Sequence, residues 1–271
     1  MSLSDAEFAV VQQLVRSQSG QVLEPHRRTL CVLKLDQLAQ TEGLASASEL
    51  VGRLRCDVSL QRHAVEVLLN GETSFFRDPA TFRVLQSEAI PALLEAKSGA
   101  SSLRIWSAAC SIGQEPYSVA MLLREMPIVE PMRVEILATD FSQAALDRAA
   151  AGKYSQLEVN RGLPTTMLTR HFERSARQWI VSGALRQQVR FQRVDLTSGD
   201  LPFGAWDLIL LRNVLIYFPL ETKQLILKRI VAKLSERGLI LFGGSETPLG
   251  IDDQLVPASF GHGFFRRRDS R

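Results

Sequence analysis

The sequence predicts an α/β chain: a doubly wound, mainly parallel sheet preceded by a small all-helical domain and carrying a small antiparallel β insertion. Three observations predict it. From Leu103 onward, apolar runs (LRIWSAA, VEILATD, VRFQRVDL, WDLILLRNVLIYF, LILFGG, GFFRRR) alternate with amphipathic stretches (YSVAMLLREM, SQAALDRAA, ETKQLILKRIVAKLSERG). Strands separated by helices of about 10–15 residues require crossover connections, hence a parallel sheet. The runs are continuous rather than alternating, as expected of strands covered on both faces. Finally, the first seventy residues hold apolar positions only at helical spacing, with no period-two run.

Taken in order, Ser4 and Glu7 form a capping box before Phe8, Val11, Leu14 and Val15, and Gly20 ends that helix. A second helix is expected over about 27–40, with Leu30, Leu33, Leu35 and Leu38 apolar. A third covers about 49–55. A fourth carries Leu60, Ala64, Val67 and Leu68 and stops at Asn70–Gly71. The expected domains are therefore 1–70 and 71–271. Between Tyr154 and Val189 the crossover pattern weakens. QWIVS and LRQQVRF, on either side of Gly183, read as short strands of an antiparallel insertion at about 172–190.

Composition narrows the class of function. With 45% apolar and 23% charged positions and a mean hydropathy of +0.01, the chain is expected to be globular rather than disordered. Its formal charge of +3 supplies no broad field for nucleic acid or a membrane surface. The one dense basic cluster is Arg266, Arg267 and Arg268 with Arg271, expected as a solvated tail. No apolar run approaches the ~20 residues of a membrane span, and MSLSDAEF lacks the basic and apolar regions of a secretory signal. Three widely spaced cysteines (Cys31, Cys56, Cys110) and four scattered histidines form neither a disulfide framework nor a metal set. A cytoplasmic protein without a metal is expected.

In an open α/β sheet the ligand lies beyond the carboxyl ends of the strands. The first strand ends in ACSIGQEPYS, where Ala108, Ala109 and Ser111 are small and Gly113 permits a tight turn. Dinucleotide sites favour Gly-x-Gly-x-x-Gly because a pyrophosphate lies on the helix N-terminus. Here the turn has one glycine and then Glu115. A carboxylate at that point opposes phosphate and suits a ligand with a cationic end, such as S-adenosylmethionine. Asp140 ends the second strand, as a ribose acceptor or as an N-cap of the next helix. Asp195 ends the third, as an adenine-edge contact or a solvated strand end. Tyr217, after the fourth strand, lines a methyl-transfer pocket or packs on the next helix.

Four motifs, GETSFFRD (71–78), IWSAACSIGQEPYS (105–118), ILATDFS (136–142) and LLRNVLIYF (210–218), occur in one order. Together they resemble the chemotaxis receptor methyltransferases of the CheR type, over essentially the whole chain. The resemblance implies a Rossmann-like class I methyltransferase domain that transfers a methyl group from S-adenosylmethionine to glutamate side chains. The acceptors it implies are the cytoplasmic domains of methyl-accepting chemotaxis proteins, with no nucleic acid and no membrane insertion. It implies cofactor contacts from Gly71, Thr73, Arg77, Ala108, Glu115, Asp140, Asp195, Leu196, Arg212 and Asn213, and places Arg77 and Tyr217 beside the transferred methyl. Two positions depart from the family pattern. Gly71 stands where relatives often have Asn, with Asn70 one residue early, and Asp195 stands where they often have Asn. Family members that tether to a receptor pentapeptide carry a short glycine-containing insertion in the β subdomain. FERSARQWIVSGALRQQV has only Gly183, so a tether-independent enzyme is expected.

The chemistry implied needs no strong base, because a glutamate with pKa about 4.3 is ionised at neutral pH. Positioning and exclusion of water are the expected sources of rate. Arg77 is expected to orient the acceptor carboxylate or shape the pocket with Phe75 and Phe76, or else to form a junction salt bridge, while Tyr217 hydrogen-bonds near the methyl; the plainer role for Phe75 and Phe76 is core packing between the two domains. Three other readings compete. One is a methyltransferase for another substrate, a small molecule or a nucleobase; an amino methyltransferase of bases would place an Asp/Asn-Pro-Pro-aromatic turn where this chain has Arg212-Asn213-Val214-Leu215. A non-catalytic receptor-array module need not keep Arg77, Glu115, Asp140 and Tyr217. A nicotinamide oxidoreductase lacks its glycines.

Overall fold

The computed structural model describes residues 3–69, 71–97, 102–127 and 133–268; Asn70 and Arg271, singled out above, lie outside them. The chain divides into two compact units. One comprises Met1–Asn70 with Tyr217–Thr222, and the other Gly71–Ile216 with Lys223–Arg271.

The first unit contains four helices: α1 (Asp5–Ser19), α2 (Arg28–Thr41), α3 (Ala47–Arg53) and α4 (Val58–Leu68). Ser4 Oγ accepts from Glu7 N and the Glu7 carboxylate accepts from Ser4 N, so the capping box forms, and Gly20 closes α1 in the left-handed region. Two apolar assignments differ from expectation. Leu30 and Leu33 are 47% and 57% exposed. The buried stripe of α2 is Cys31, Leu35, Leu38 and Ala39, whose spacing of 4, 7 and 8 from Cys31 leaves those two leucines on the opposite face. In α4 the buried member is Val65 rather than Val67.

The second unit opens with α5 (Pro79–Val84) and α6 (Ile90–Ala96), joined by a π-helical turn. Then come β1 (Ser102–Ala108), α7 (Gln114–Arg124), β2 (Arg133–Asp140), α8 (Gln143–Ala151), β3 (Lys153–Ser155), α9 (Gln156–Asn160), α10 (Thr165–His171), β4 (Phe172–Ser175) and β5 (Gln178–Val181). The chain continues through α11 (Gly183–Gln188), β6 (Val189–Arg193), β7 (Trp206–Leu211), α12 (Leu220–Val231), β8 (Leu234–Phe242), β9 (Leu255–Pro257) and β10 (Phe264–Arg267). Seven strands form one sheet in the order β6-β2-β1-β7-β8-β10-β9. Neighbours from β6 through β8 are parallel, and β10 runs antiparallel to both β8 and β9. Every residue of β7 is buried, which is why its sequence is an unbroken apolar run. From β1 the chain winds outward through β2 and β6, then returns to β7 on the other side. The switch point lies between β1 and β7, where Ala108 pairs with Leu211.

The insertion is a three-stranded antiparallel sheet, β3-β5-β4. Gln178–Val181 is a strand as expected. LRQQVRF is instead divided between α11 and β6, and β6 belongs to the main sheet by parallel pairing with β2. The helix expected to run through SERG stops at Val231, and Leu234–Arg237 already belongs to β8. Gly238 therefore does not end a helix. It lies within β8 where the β7–β8 register shifts between Trp206 and Leu208, and a Cβ there would meet Leu234 Cδ1 at 2.9 Å.

Candidate functional site

The carboxyl ends of β1, β2 and β7 build one edge of the second unit. After Ala108, the chain takes positive φ at Ala109 (58°), Ser111 (50°) and Gly113 (88°). Two of these are not glycine, and such strain persists only where surroundings over-determine it. The surroundings are identifiable. Tyr154 Oη donates to the Ile112 carbonyl at 2.7 Å, Tyr117 Oη donates to the Ala149 carbonyl at 2.8 Å, and Cys110 N donates to Thr139 O at 2.9 Å. A Cβ on Gly113 would lie 2.8 Å from Ala149 Cβ, so this glycine serves the α7–α8 contact as well as the turn.

Asp140, at the end of β2, accepts from Ser111 N at 2.7 Å and from Ser142 N at 2.9 Å. It is not the N-cap of α8, since Ser142 accepts from Ala145 N in that role. Its carboxylate ties the β1 turn to the β2 end. Ser111 Oγ in turn donates to Gly71 O at 2.9 Å, and a Cβ on Gly71 would sit 3.3 Å from that Oγ. Gly71 thus joins the turn through its backbone.

Arg212 follows β7, and its side chain is 2% exposed. Nη1 donates to Glu115 Oε2 at 3.0 Å; Nη2 donates to Asp78 Oδ2 at 2.6 Å and to the Arg77 carbonyl at 3.0 Å. The other Glu115 oxygen accepts from Ser107 Oγ at 2.8 Å. Glu115 is therefore already paired inside the protein rather than waiting as an isolated charge, which modifies its expected role. The guanidinium also lies 5.7 Å from the Phe82 ring centroid, and its Nε is buried with no hydrogen-bond partner. Asp78 and Glu115 hold the Arg212 guanidinium, while Asp140 holds the β1 turn.

The 71–78 motif folds as a strained loop, with φ of 46° at Phe76 and 63° at Asp78. Phe75 is fully buried, edge-on to Tyr154 at 4.9 Å and to Phe172 at 5.5 Å, a core role within the second unit where packing between the two domains was expected. Phe76 N donates to Ser118 Oγ at 2.9 Å. Arg77 is half-buried, with Nη1 donating to the Glu72 carbonyl at 3.1 Å. The Glu72 carboxylate pairs with Arg161, whose hydrogen bond and charge hold it below the usual carboxylate range. The Arg77 charge lowers it a little further. Thr73 is half-buried in the same loop.

Asp195 lies two residues beyond β6. Its Oδ1 accepts from Thr197 N at 2.8 Å and Thr197 Oγ1 at 2.7 Å, an Asx-type turn; Leu196 beside it is buried. Asn213 has φ 56° and begins a short turn held by Glu246, whose carboxylate accepts from the backbone of Asn213, Val214 and Leu215. Tyr217 belongs to the helical unit. There its carbonyl accepts from Val22 N at 2.8 Å, and its ring centroid lies 5.4 Å from the Arg27 guanidinium. Cys110 is buried in the β1 turn, and desolvation, with Asp140 and Glu115 nearby, pushes its thiol far up, so it stays neutral.

Sequence reasoning missed Asp78, Ser107, Tyr154 and Glu246. Asp78 closes a quoted motif and Ser107 sits in another, so both were within reach. Tyr154 and Glu246 act from other elements, and no local spacing points to them.

A mainly parallel sheet of this strand order, with antiparallel β10 between β8 and β9 and its crevice at the β1/β7 switch, has the fold of a class I S-adenosylmethionine-dependent methyltransferase. The residues fit that cofactor. Small residues line a backbone turn, an acid ends β2, and a second acid, Glu115, stands in the first turn of α7. The family model described as CheR methyltransferase, SAM binding domain, matches residues 71–259. Chemotaxis protein methyltransferase 1 of Pseudomonas aeruginosa is 36% identical over 269 residues, covering 96% of this chain and 98% of the relative. Chemotaxis protein methyltransferase Cher2 of Pseudomonas putida is 34% identical over 270 residues, covering 96% and 98%. The corresponding enzyme of Vibrio parahaemolyticus is 34% identical over 264 residues, covering 94% of each. The chain belongs to the CheR family of chemotaxis protein methyltransferases.

Proposed function

We propose that this enzyme esterifies glutamate side chains on the cytoplasmic domains of methyl-accepting chemoreceptors. The observation that carries the reading is the arrangement around Arg212. One buried guanidinium ties Glu115 on α7 to Asp78 and the Arg77 carbonyl in the 71–78 loop, so the expected cofactor side and the expected methyl side share one rigid cluster. S-adenosylmethionine, when bound, supplies an electrophilic methyl on a cationic sulfur. The acceptor carboxylate brings its own electron pair, already ionised, so the chain's work is positioning and drying.

Arg77 fits the positioning role. Its guanidinium is anchored through one nitrogen on Glu72 O, which leaves the fork geometry suited to a carboxylate. Buried Phe75 and Phe76 immediately precede it in sequence and give that side of the loop an apolar setting. Asp140 suits the ribose hydroxyls and Glu115 the amino end; Gly71, Thr73, Ala108, Asp195, Leu196, Arg212 and Asn213 complete the proposed contacts. Tyr217 is assigned to the methyl side on the family motif alone.

Tether independence is supported by the β4–β5 hairpin. Ser175 pairs directly with Gln178, so two residues make the turn and no inserted loop is accommodated. A cytoplasmic location follows from the substrate proposed, and no described helix is long and apolar enough to cross a membrane. The test is transfer of labelled methyl to receptor-containing membranes. Alkali-labile label released as methanol supports the reading; receptor binding without transfer would replace it with a non-catalytic module.

A further inference from the structure

Glu246 lies in the loop after β8, outside every motif considered so far. Its Oε1 accepts from Val214 N at 2.9 Å, Leu215 N at 2.8 Å and Ile216 N at 3.4 Å; its Oε2 accepts from Asn213 N and from Gly243 N at 2.9 Å. Four consecutive backbone N–H groups therefore converge on one carboxylate, an anion-holding nest filled from within the protein. They open the short helical turn Leu215–Tyr217. The fit is close on the far side too. A Cβ on Gly243 would approach Asn213 Nδ2 and Glu246 Oε2, each at 2.7 Å.

We infer that Glu246 is a positioning residue for methyl transfer, fixing the backbone conformation of Arg212–Ile216. Asn213 is held at φ 56°, a left-handed conformation that costs energy for a non-glycine residue and persists only under restraint. Without the carboxylate, four donors lose their common acceptor and the segment relaxes. Arg212 shifts with it, and so does its hold on Glu115 and Asp78. Glu246 touches no reacting atom in this account and acts through the residues it restrains. The inference rests on the reading of the edge as the S-adenosylmethionine site.

The test compares wild type with Glu246→Gln, Glu246→Asp and Gly243→Ala. Wild-type binding of S-adenosylhomocysteine, measured by calorimetry, checks the site reading independently of the variants. Glu246→Gln, which keeps the shape but loses one acceptor oxygen and the charge, is expected to raise KM for S-adenosylmethionine about tenfold, the equivalent of one charged hydrogen bond. The calorimetric stoichiometry of the folded fraction stays at one site. Glu246→Asp is expected to recover part of the KM, and Gly243→Ala, which crowds the same carboxylate from the other side, to raise it as Gln does. A merely structural Glu246 would lower stability and active fraction while leaving KM within about twofold. That result in Glu246→Gln and Gly243→Ala overturns the inference.

Discussion

Arg212 donates from Nη1 to Glu115 Oε2 at 3.0 Å, with its side chain 2% and that of Glu115 13% exposed. Such a pair stabilises little relative to apolar packing, but removing one partner leaves an uncompensated charge. Arg212→Met is therefore expected to lower unfolding free energy by about 3 kcal/mol, because Glu115 keeps only Ser107 Oγ while half-exposed Asp78 turns to water. The double variant with Glu115→Gln recovers part of the loss. Urea midpoints measure both; a midpoint unchanged in Arg212→Met contradicts the assignment.

Asp140→Asn retains one acceptor oxygen where two backbone N–H groups now bond. Affinity for S-adenosylhomocysteine is expected to fall about 10- to 100-fold with the fold intact, the size of one or two hydrogen bonds to a charged group. Calorimetry beside a circular dichroism spectrum separates the two effects, and wild-type affinity removes Asp140 from the cofactor site.

Arg77→Ala is expected to keep cofactor affinity within a few-fold and to lower turnover by ~10²–10³, about 3–4 kcal/mol in barrier. Single-turnover methyl transfer reads this directly. Near-normal turnover would leave Arg77 as a loop-shaping residue only.

A receptor-tail pentapeptide is expected to give no calorimetric heat with this enzyme, since the β4–β5 turn has two residues. Micromolar binding would show that an edge of this small sheet recognises a tail without the inserted loop.

Acid pH weakens the helical unit through Glu7. The Ser4 side chain first, then the Ser48 hydroxyl and the Ser4 backbone N–H, pull the Glu7 carboxyl down from 4.5 to about 2. A carboxyl with a lowered folded pKa contributes stability that is complete above its unfolded value and lost as pH falls through the folded one. The Tm gap between wild type and Glu7→Gln is therefore expected to be full above pH 5 and to close between about pH 5 and pH 2. A constant gap over that range contradicts it.

Some of this structure was legible in the residues because the forces are local. Ser4 and Glu7 are three residues apart and make their cap wherever the chain goes, and the β7 run is apolar because both its faces are covered. Asp140 was found for a similar reason: a strand end in a wound sheet can be located by counting runs. What escaped depends on partners distant in sequence. Leu30 and Leu33 look like core until the rotation of α2 is known. Gly238 looks like a helix stop until the β7–β8 register places it at an irregularity. Glu246 sits 30 to 33 residues from the four N–H groups it accepts from, and nothing in GGSE announces that they will converge there.

The central claim is that methyl groups go from a sulfonium onto receptor glutamates. Mass spectrometry of a chemoreceptor cytoplasmic fragment, incubated with the enzyme and S-adenosylmethionine, tests it most directly. The account predicts methyl esters on glutamate side chains that vanish on mild alkaline treatment and do not form with Arg77→Ala over the same interval. Alkali-stable methylation on nitrogen, or an unmodified fragment with active wild-type enzyme, would contradict it.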